Sequence, residues 1–307
     1  MTIGLTEDED EVIKLSVIVS SLKDESSLKN CLESILPQKT DEVEIISPVA
    51  HSQTFQREWA ARYAEVDFIE YPAGTMLPTL LSAGISRSKG EIIAITDSTC
   101  VAADDWLASI LKAHELAYPV IGGSVEMSGG SGSLTDWAAY FCDYGQFMLP
   151  TESGMVAAIP GNNFSIKRPV LEKGREFVEN GFWKTLWCRK LQSDGIELFS
   201  EPKISVSRRE NHKLAAFLVR RFCQGRCFAG MRAEEFSRIK RFVYTIGSPL
   251  LPIFFFIRTV SPVFRKRRHV GKLLLSIPVI ILAVVWWAAG EASGYFAGKG
   301  NSCNTTE

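Results

Sequence analysis

Residues 91–100, EIIAITDSTC, carry the reading on which the rest of the chain hangs. Glu91–Thr96 is a run of apolar, mostly β-branched residues, and it is the strongest strand signal in the sequence. A continuous run of this kind marks a strand covered on both faces, as in a parallel sheet between layers of helices. Leu15–Ser20 (LSVIVS) is a second such run. Between the two, the period switches repeatedly. Ser26–Leu36 has apolar residues at 28, 31, 32, 35 and 36, a helical stripe with Pro37 just after it. Val43–Ile46 reads as a strand, Gln53–Tyr63 as a helix and Val66–Tyr71 as a strand. Thr79–Ser86 reads as a helix closed by the Ser88–Gly90 turn. Strands alternating with helices predict an open, mostly parallel α/β sheet with right-handed crossovers, flanked by helices.

Further along, Val120–Val125 reads as a strand, Leu134–Gln146 and Leu186–Gln192 as helical, Ile159–Ile166 leads into a Lys167–Arg168–Pro169 turn and a helix start, and Ile196–Ser200 and Lys203–Ser207 read as two last short strands. Ser128–Ser133 (SGGSGS) lacks the strand–loop–helix setting of a phosphate cradle and reads as a connector. Ligands of open α/β sheets bind at the carboxyl ends of strands. That rule singles out Ser20–Glu25 and Asp97–Cys100.

The chain has 307 residues, 46% hydrophobic and 22% charged, which excludes a disordered polypeptide. A net charge of −1 conceals a strong asymmetry. Residues 213–272 hold 14 Lys/Arg against Glu234 and Glu235, while the remainder holds 20 against 33 Asp/Glu. The basic residues flank long apolar runs, so the expected partner is an anionic lipid surface and not nucleic acid. Leu214–Arg232 interleaves Phe217, Leu218, Phe222 and Phe228 with four arginines, the composition of an interfacial helix. Phe242–Val260 is apolar but holds Pro249, Pro252 and Arg258, which predicts a re-entrant or interfacial segment. Leu273–Gly290 runs 18 residues without a charge, enough to cross a bilayer. Between these runs lies Arg265–His269 (RKRRH). No signal-peptide pattern precedes the first strand, because Met1–Glu11 is acidic. The seven cysteines show no metal-binding spacing and read as reduced thiols of a cytosolic protein.

The segments SVIVSSLKDESSLKNCLESIL and KGEIIAITDSTCVAADDWL, with GNNFSIKRPVLE beyond them, resemble the inverting family-2 glycosyltransferases of GT-A fold over roughly Leu15 to Arg232. The tail, with GSPLLP, RKRR and GEASGYFAG, is similar to that of bacterial members making exopolysaccharide or lipid-linked glycans of the cell envelope. The resemblance implies a GT-A-like domain over 12–212, a basic interfacial helix region over 213–240 and membrane-associated segments over 241–298. It also implies a catalytic domain on the cytoplasmic side of the inner membrane. The implied activity is transfer of a sugar from a nucleotide diphosphate donor to a glycan or polyprenyl-linked acceptor.

Matched residue by residue, Ser20, Lys23, Glu25 and Asp97 fall at nucleotide-contacting positions. Asp97 and Thr99 overlie the family's metal-binding acidic motif, with a hydroxyl where its second carboxylate stands, so any Mg²⁺ or Mn²⁺ site is weakened. Asp104 and Asp105 read as caps of the next helix. The acidic pair that supplies the catalytic base should lie near Gly181–Cys188 and is missing there, which leaves Glu179 and Asp194 as candidates. Lys167, Arg168, Arg220, Arg221 and Arg226 match positions that face the acceptor phosphate or the diphosphate; a solvated turn and lipid headgroups are their alternative roles. Two other functions fit the same residues. One is a degenerate relative that binds nucleotide sugar or a partner enzyme without turnover. The other is a membrane-anchored nucleotide-binding module unrelated to sugar transfer.

Overall fold

The computed structural model describes residues 12–22, 25–50, 59, 61–129, 132–179, 181–209, 211–234 and 236–305. Nine strands form one mixed sheet among them: β1 Leu15–Ser20, β2 Val43–Val49, β3 Val66–Glu70, β4 Ile92–Asp97, β5 Cys100–Ala102, β6 Val120–Met127, β7 Gly154–Val156, β8 Asn163–Lys167 and β9 Leu198–Arg208. The spatial order is β3-β2-β1-β4-β8-β6-β9-β5, with β7 against β9. β1 to β4 are mutually parallel, as the alternation predicts, whereas β8 inserts antiparallel between β4 and β6. β1 hands the chain to β2 on one side while β4 joins it on the other, so the strand order reverses between β1 and β4.

The helices are α1 Glu25–Ile35, α2 Leu77–Arg87, α3 Trp106–Ala113, α4 Leu134–Tyr144, α5 Arg168–Lys173, α6 Glu176–Glu179, α7 Lys184–Ser193, α8 Leu214–Glu234, α9 Arg238–Gly247, α10 Leu251–Lys266 and α11 Val270–Ala297. The predicted helix over 53–63 falls mostly outside the described residues. Two compact units result. The first takes 12–73, 77–122 and 154–204, and its core joins Ile18, Ile93 and Ile95 of the strands to Phe164, Phe182 and Trp187. Each such side chain contributes about 1.5–3 kcal/mol by leaving water.

The second unit takes 74–76, 123–153 and 205–305, so the expected 12–212 boundary does not coincide with a compact body. The reason lies in α4. Its Trp137, Ala138, Tyr140 and Phe141 form one core with Phe217, Val263, Leu273, Ile280 and Val284. Within this unit α8 and α11 run parallel in close contact. A Cβ at Gly290 would lie 2.1 Å from the Phe222 carbonyl oxygen, and one at Gly294 2.4 Å from that of Arg226. Small residues four apart allow this approach, a device common among membrane helices. Arg232 reaches the buried Glu291 at 3.0 Å.

Residues 238–266 and 270–297 are each long and apolar enough to cross a membrane. Pro249 and Pro252 lie where α9 gives way to α10. They fall in the first turns of the 3-10 segment Ser248–Leu250 and of α10, where a missing amide costs little. The cysteine reading is also corrected. Cys227 and Cys303 form a disulfide across 76 residues, a separation without any local signature, while the other five cysteines are not disulfide-bonded.

Candidate functional site

In register, Ser20 is the partner of Asp97, which brings the ends of β1 and β4 together where the strand order reverses. Backbone and side chain tie the two ends together. The Ser98 amide donates to the Ser20 carbonyl at 2.8 Å, and the Ser20 hydroxyl donates to the Thr96 carbonyl at 3.3 Å. Asp97 is half-buried. Its Oδ1 accepts the Thr99 amide at 2.8 Å, the Thr99 hydroxyl and, at 3.7 Å, the Cys100 thiol. This local turn fixes the direction of the carboxylate. From α1, the buried Cys31 thiol donates to the Asp97 carbonyl at 3.6 Å; burial first, and then Cys100 and Asp97, raise its pKa well above the usual thiol value.

The GNNFS segment supplies two amides to the same end of β4. Asn163 pairs with Thr96 in register, accepts from the Trp106 indole at 2.9 Å and donates to the Ile204 carbonyl at 2.8 Å. Asn162 is 3% exposed; its Nδ2 donates to Cys100 Sγ at 3.1 Å, while its Oδ1 has no hydrogen-bond partner in the protein. Sequence reasoning weighed this motif by its basic residues and passed over its asparagines. The available signal was their position just ahead of a strand antiparallel to β4.

The basic residues lie elsewhere. Lys167 is the register partner of Ile92, five steps along β4 from Asp97 and roughly 16 Å away at 3.3 Å per residue. Lys167 Nζ donates to the Leu116 carbonyl at 2.8 Å, and Arg168 donates to the Gly90 carbonyl at 2.7 Å and to the Ser88 hydroxyl at 3.0 Å. Neither meets a ligand at the Asp97 end. Both close carbonyls at the amino end of the strand.

Glu25 is exposed in the first turn of α1, where an acid contributes about 0.3–1 kcal/mol through the helix dipole. Lys23 lies outside the described residues. Glu179 pairs with Arg175 at 3.3 Å and Asp194 with Lys190 at 2.7 Å, both on the surface. Where the base would stand in the family, Lys184 Nζ donates to the Ile159 carbonyl at 2.7 Å, and desolvation lowers its pKa. In the second unit, Arg220 and Arg221 face Asp143 at 3.6 and 2.8 Å, and Arg226 donates to the Gly298 carbonyl at 3.1 Å. Among the described residues no group of three or more His, Cys, Asp or Glu side chains could hold a metal ion. Asp97 Oδ1 is engaged by the Thr99 amide and hydroxyl and by the Cys100 thiol, and a hydroxyl and a thiol do not suit Mg²⁺ or Mn²⁺, which take several hard oxygens.

Known proteins show the same architecture. A crystal structure titled GalNAc-T7 with UDP, GalNAc and Mn²⁺ aligns at a TM-score of 0.51 and 15% identity over 67% of this chain and 45% of that one. The mannosyltransferase PcManGT from Pyrobaculum calidifontis, in complex with GDP-Man and Mn²⁺, aligns at 0.51 and 15% over 94% of this chain and 77% of that one. The chain thus spans less than half the length of the first of these proteins, and at such identity both likenesses show the fold. No curated protein matches its sequence significantly. The model of the family described as glycosyl transferase family 2 matches residues 16–174, more than half of the 307. The chain belongs to glycosyl transferase family 2.

Proposed function

We propose that this chain is a membrane-attached, inverting glycosyltransferase that moves a sugar from a nucleotide diphosphate donor to a hydroxyl of a glycan or lipid-linked acceptor. One observation carries the reading: Ser20 and Asp97 are partners at the switch point of a family-2 sheet, where such folds take their ligands. The nucleotides in the titles of the two solved structures support a donor of that class.

In this reading Asp97, oriented by Thr99 and paired with Ser20, accepts hydrogen bonds from the nucleoside, and Lys23 and Glu25 are assigned to the same nucleotide. The acceptor oxygen attacks the anomeric carbon as its bond to the diphosphate breaks. The reaction needs a base for the hydroxyl proton and positive charge for the leaving group. No step is assigned to a metal, since the donor set does not fit one. A second reading, binding without turnover, is favoured by the surface ion pairs that engage Glu179 and Asp194.

A screen of UDP- and GDP-linked sugars for binding and hydrolysis, with and without Mn²⁺, tests both readings on wild type and Asp97→Ala. Donor binding that the substitution abolishes, together with turnover, supports transfer. Binding without turnover supports the second reading, and binding indifferent to the substitution removes both.

Membrane attachment rests on the apolar side chains exposed along 239–257 (Ile239, Phe242, Ile246, Ile253, Phe254, Ile257) and on Leu274, Leu275 and Ile281 of α11. The two ends of α11 differ in a way that orients it. The basic turn 265–269 precedes the helix, and the disulfide partner Cys303 follows it. Basic turns stay on the cytoplasmic side and disulfides persist in oxidising compartments. We therefore orient α11 with its start inside and its end outside, in a bacterial inner membrane. A membrane-impermeant thiol reagent that reaches Arg267→Cys from outside intact cells would refute this orientation.

A further inference from the structure

A cavity of about 220 Å³ lies wholly within the second unit, bounded by α4, α8, α10 and α11. Phe255, Val284 and Trp287 give it apolar walls, yet Arg221 and Arg258 line it with Asp143. Arg221 is only 4% exposed. Its Nη1 donates to Asp143 Oδ1 at 2.8 Å and to Gln224 Oε1 at 3.3 Å. Among the described residues its Nε and Nη2 are buried without a nitrogen or oxygen partner, and the guanidinium lies beside the Cys142 thiol and over the Phe217 and Trp287 rings. Those two nitrogens form one edge of the guanidinium fork, the edge that matches two oxygens of a planar or tetrahedral anion. Arg220, 3.6 Å from Asp143, also has an unmatched Nε. Among the described residues lining the cavity, Asp143 is the one acid against Arg221 and Arg258, an excess of positive charge in a half-apolar chamber. Buried donors of a charged group without a partner are costly, which makes an anion the complementary occupant.

We propose that this cavity binds a phosphate group, two of its oxygens seated on the Nε–Nη2 edge of Arg221 and its remaining charge met by Arg258. The volume lies below that of a pocket for a whole small molecule and suits a headgroup. The apolar walls suit a phosphate carried by a lipid. The site does not depend on the sugar-transfer reading, and its test uses no transfer assay.

The full chain is placed in phosphatidylcholine nanodiscs doped with phosphatidic acid, and bound lipid is counted by native mass spectrometry. In a second arm, inorganic diphosphate is titrated calorimetrically into nanodiscs of phosphatidylcholine alone. The variants are Ala283→Leu, which fills the cavity with apolar atoms, and Arg258→Gln, at an exposed position that leaves the Arg221–Asp143 pair intact. The expected result is one retained phosphatidic acid per chain, with retention falling about tenfold in each variant, equivalent to about 1.4 kcal/mol. Saturable binding of inorganic diphosphate alone, with the same sensitivity, supports the site and assigns it to soluble phosphate. Binding of neither probe, or binding that both variants leave unchanged, overturns the proposal. Arg258→Gln keeps the test decisive if Ala283→Leu does not fold.

Discussion

The two ends of β4 are built on opposite principles. At the amino end, Lys167 and Arg168 direct their cationic groups to the carbonyls of Leu116 and Gly90, so their charge goes into closing the sheet. At the carboxyl end the side chains are short, neutral or acidic, and Asn162 Oδ1 and Thr96 Oγ1 are buried without a hydrogen-bond partner among the described residues. Charge marks the structural end, while buried atoms without a partner occur near both, Asn162 Oδ1 and Thr96 Oγ1 at the carboxyl end and His114 Nδ1 beside the amino-end cations. A buried polar group without a partner in the protein is rare enough to require explanation, whereas a basic residue beside a carbonyl is ordinary.

The largest test falls on the exception at the carboxyl end. Asn163 sits beside Asn162, yet both of its amide atoms are engaged, with the Trp106 indole and the Ile204 carbonyl. Asn163→Leu leaves both partners buried and unmet, each costing about 1–3 kcal/mol, so a loss of about 2–5 kcal/mol is expected in chemical unfolding. Asn162→Leu should change stability by less than about 1 kcal/mol while altering donor affinity. Equal losses in the two variants would erase the distinction between a saturated and an open amide.

The next effect concerns pH. His114 is buried beside Ser165, with 2.7 Å between Nε2 and the hydroxyl, and burial, then Lys167, lowers its pKa to about 4. The unfolded imidazole titrates near 6.5, so between these values the unfolded chain takes up the proton that the folded chain refuses. Stability is therefore full above about pH 6.5 and falls as the pH drops towards 4, by up to about 3 kcal/mol. His114→Gln should flatten that slope in urea midpoints measured across the range. An unchanged slope would remove His114 from the amino-end network that Lys167 completes.

Most strands were legible because a buried parallel strand is a continuous β-branched run, and Leu15–Ser20 and Ile92–Asp97 were read almost to the residue. β5 and β7 were missed, since three residues carry no period. Ile196–Ser200 and Lys203–Ser207 read as two strands because Pro202 interrupts them, yet the structure continues through it as Leu198–Arg208. Ser20 and Asp97 followed from strand ends alone. Asn162 did not, because a neutral amide gives no charge signal and its significance lies in which of its atoms lacks a partner. For Lys167 and Arg168 the converse holds: sequence displays the charge but not the carbonyl that receives it. The grouping of 123–153 with the tail was equally hidden, as the apolar face of α4 does not name the core it joins.

The smallest expected effects test the comparison most directly, because they set its two ends against each other. Asp97→Asn removes the carboxylate charge but keeps the size of the side chain. Donor affinity should fall about 10- to 100-fold, the worth of a charged hydrogen bond, with stability within about 1 kcal/mol of wild type. Arg168→Met does the reverse. It leaves the Gly90 carbonyl and the Ser88 hydroxyl without their donor, for a stability loss of about 1–2 kcal/mol, while donor affinity stays within about twofold. Asp97 and Arg168 act at opposite ends of β4, one beside Thr99 and the other on the Gly90 carbonyl, so in the double variant both effects should add to within about 0.5 kcal/mol. Calorimetric donor titrations and urea unfolding of the four proteins of this cycle measure both quantities. A coupling above about 1 kcal/mol would mean that the two ends of β4 act as one site, and the division of labour argued from their hydrogen bonds would fail.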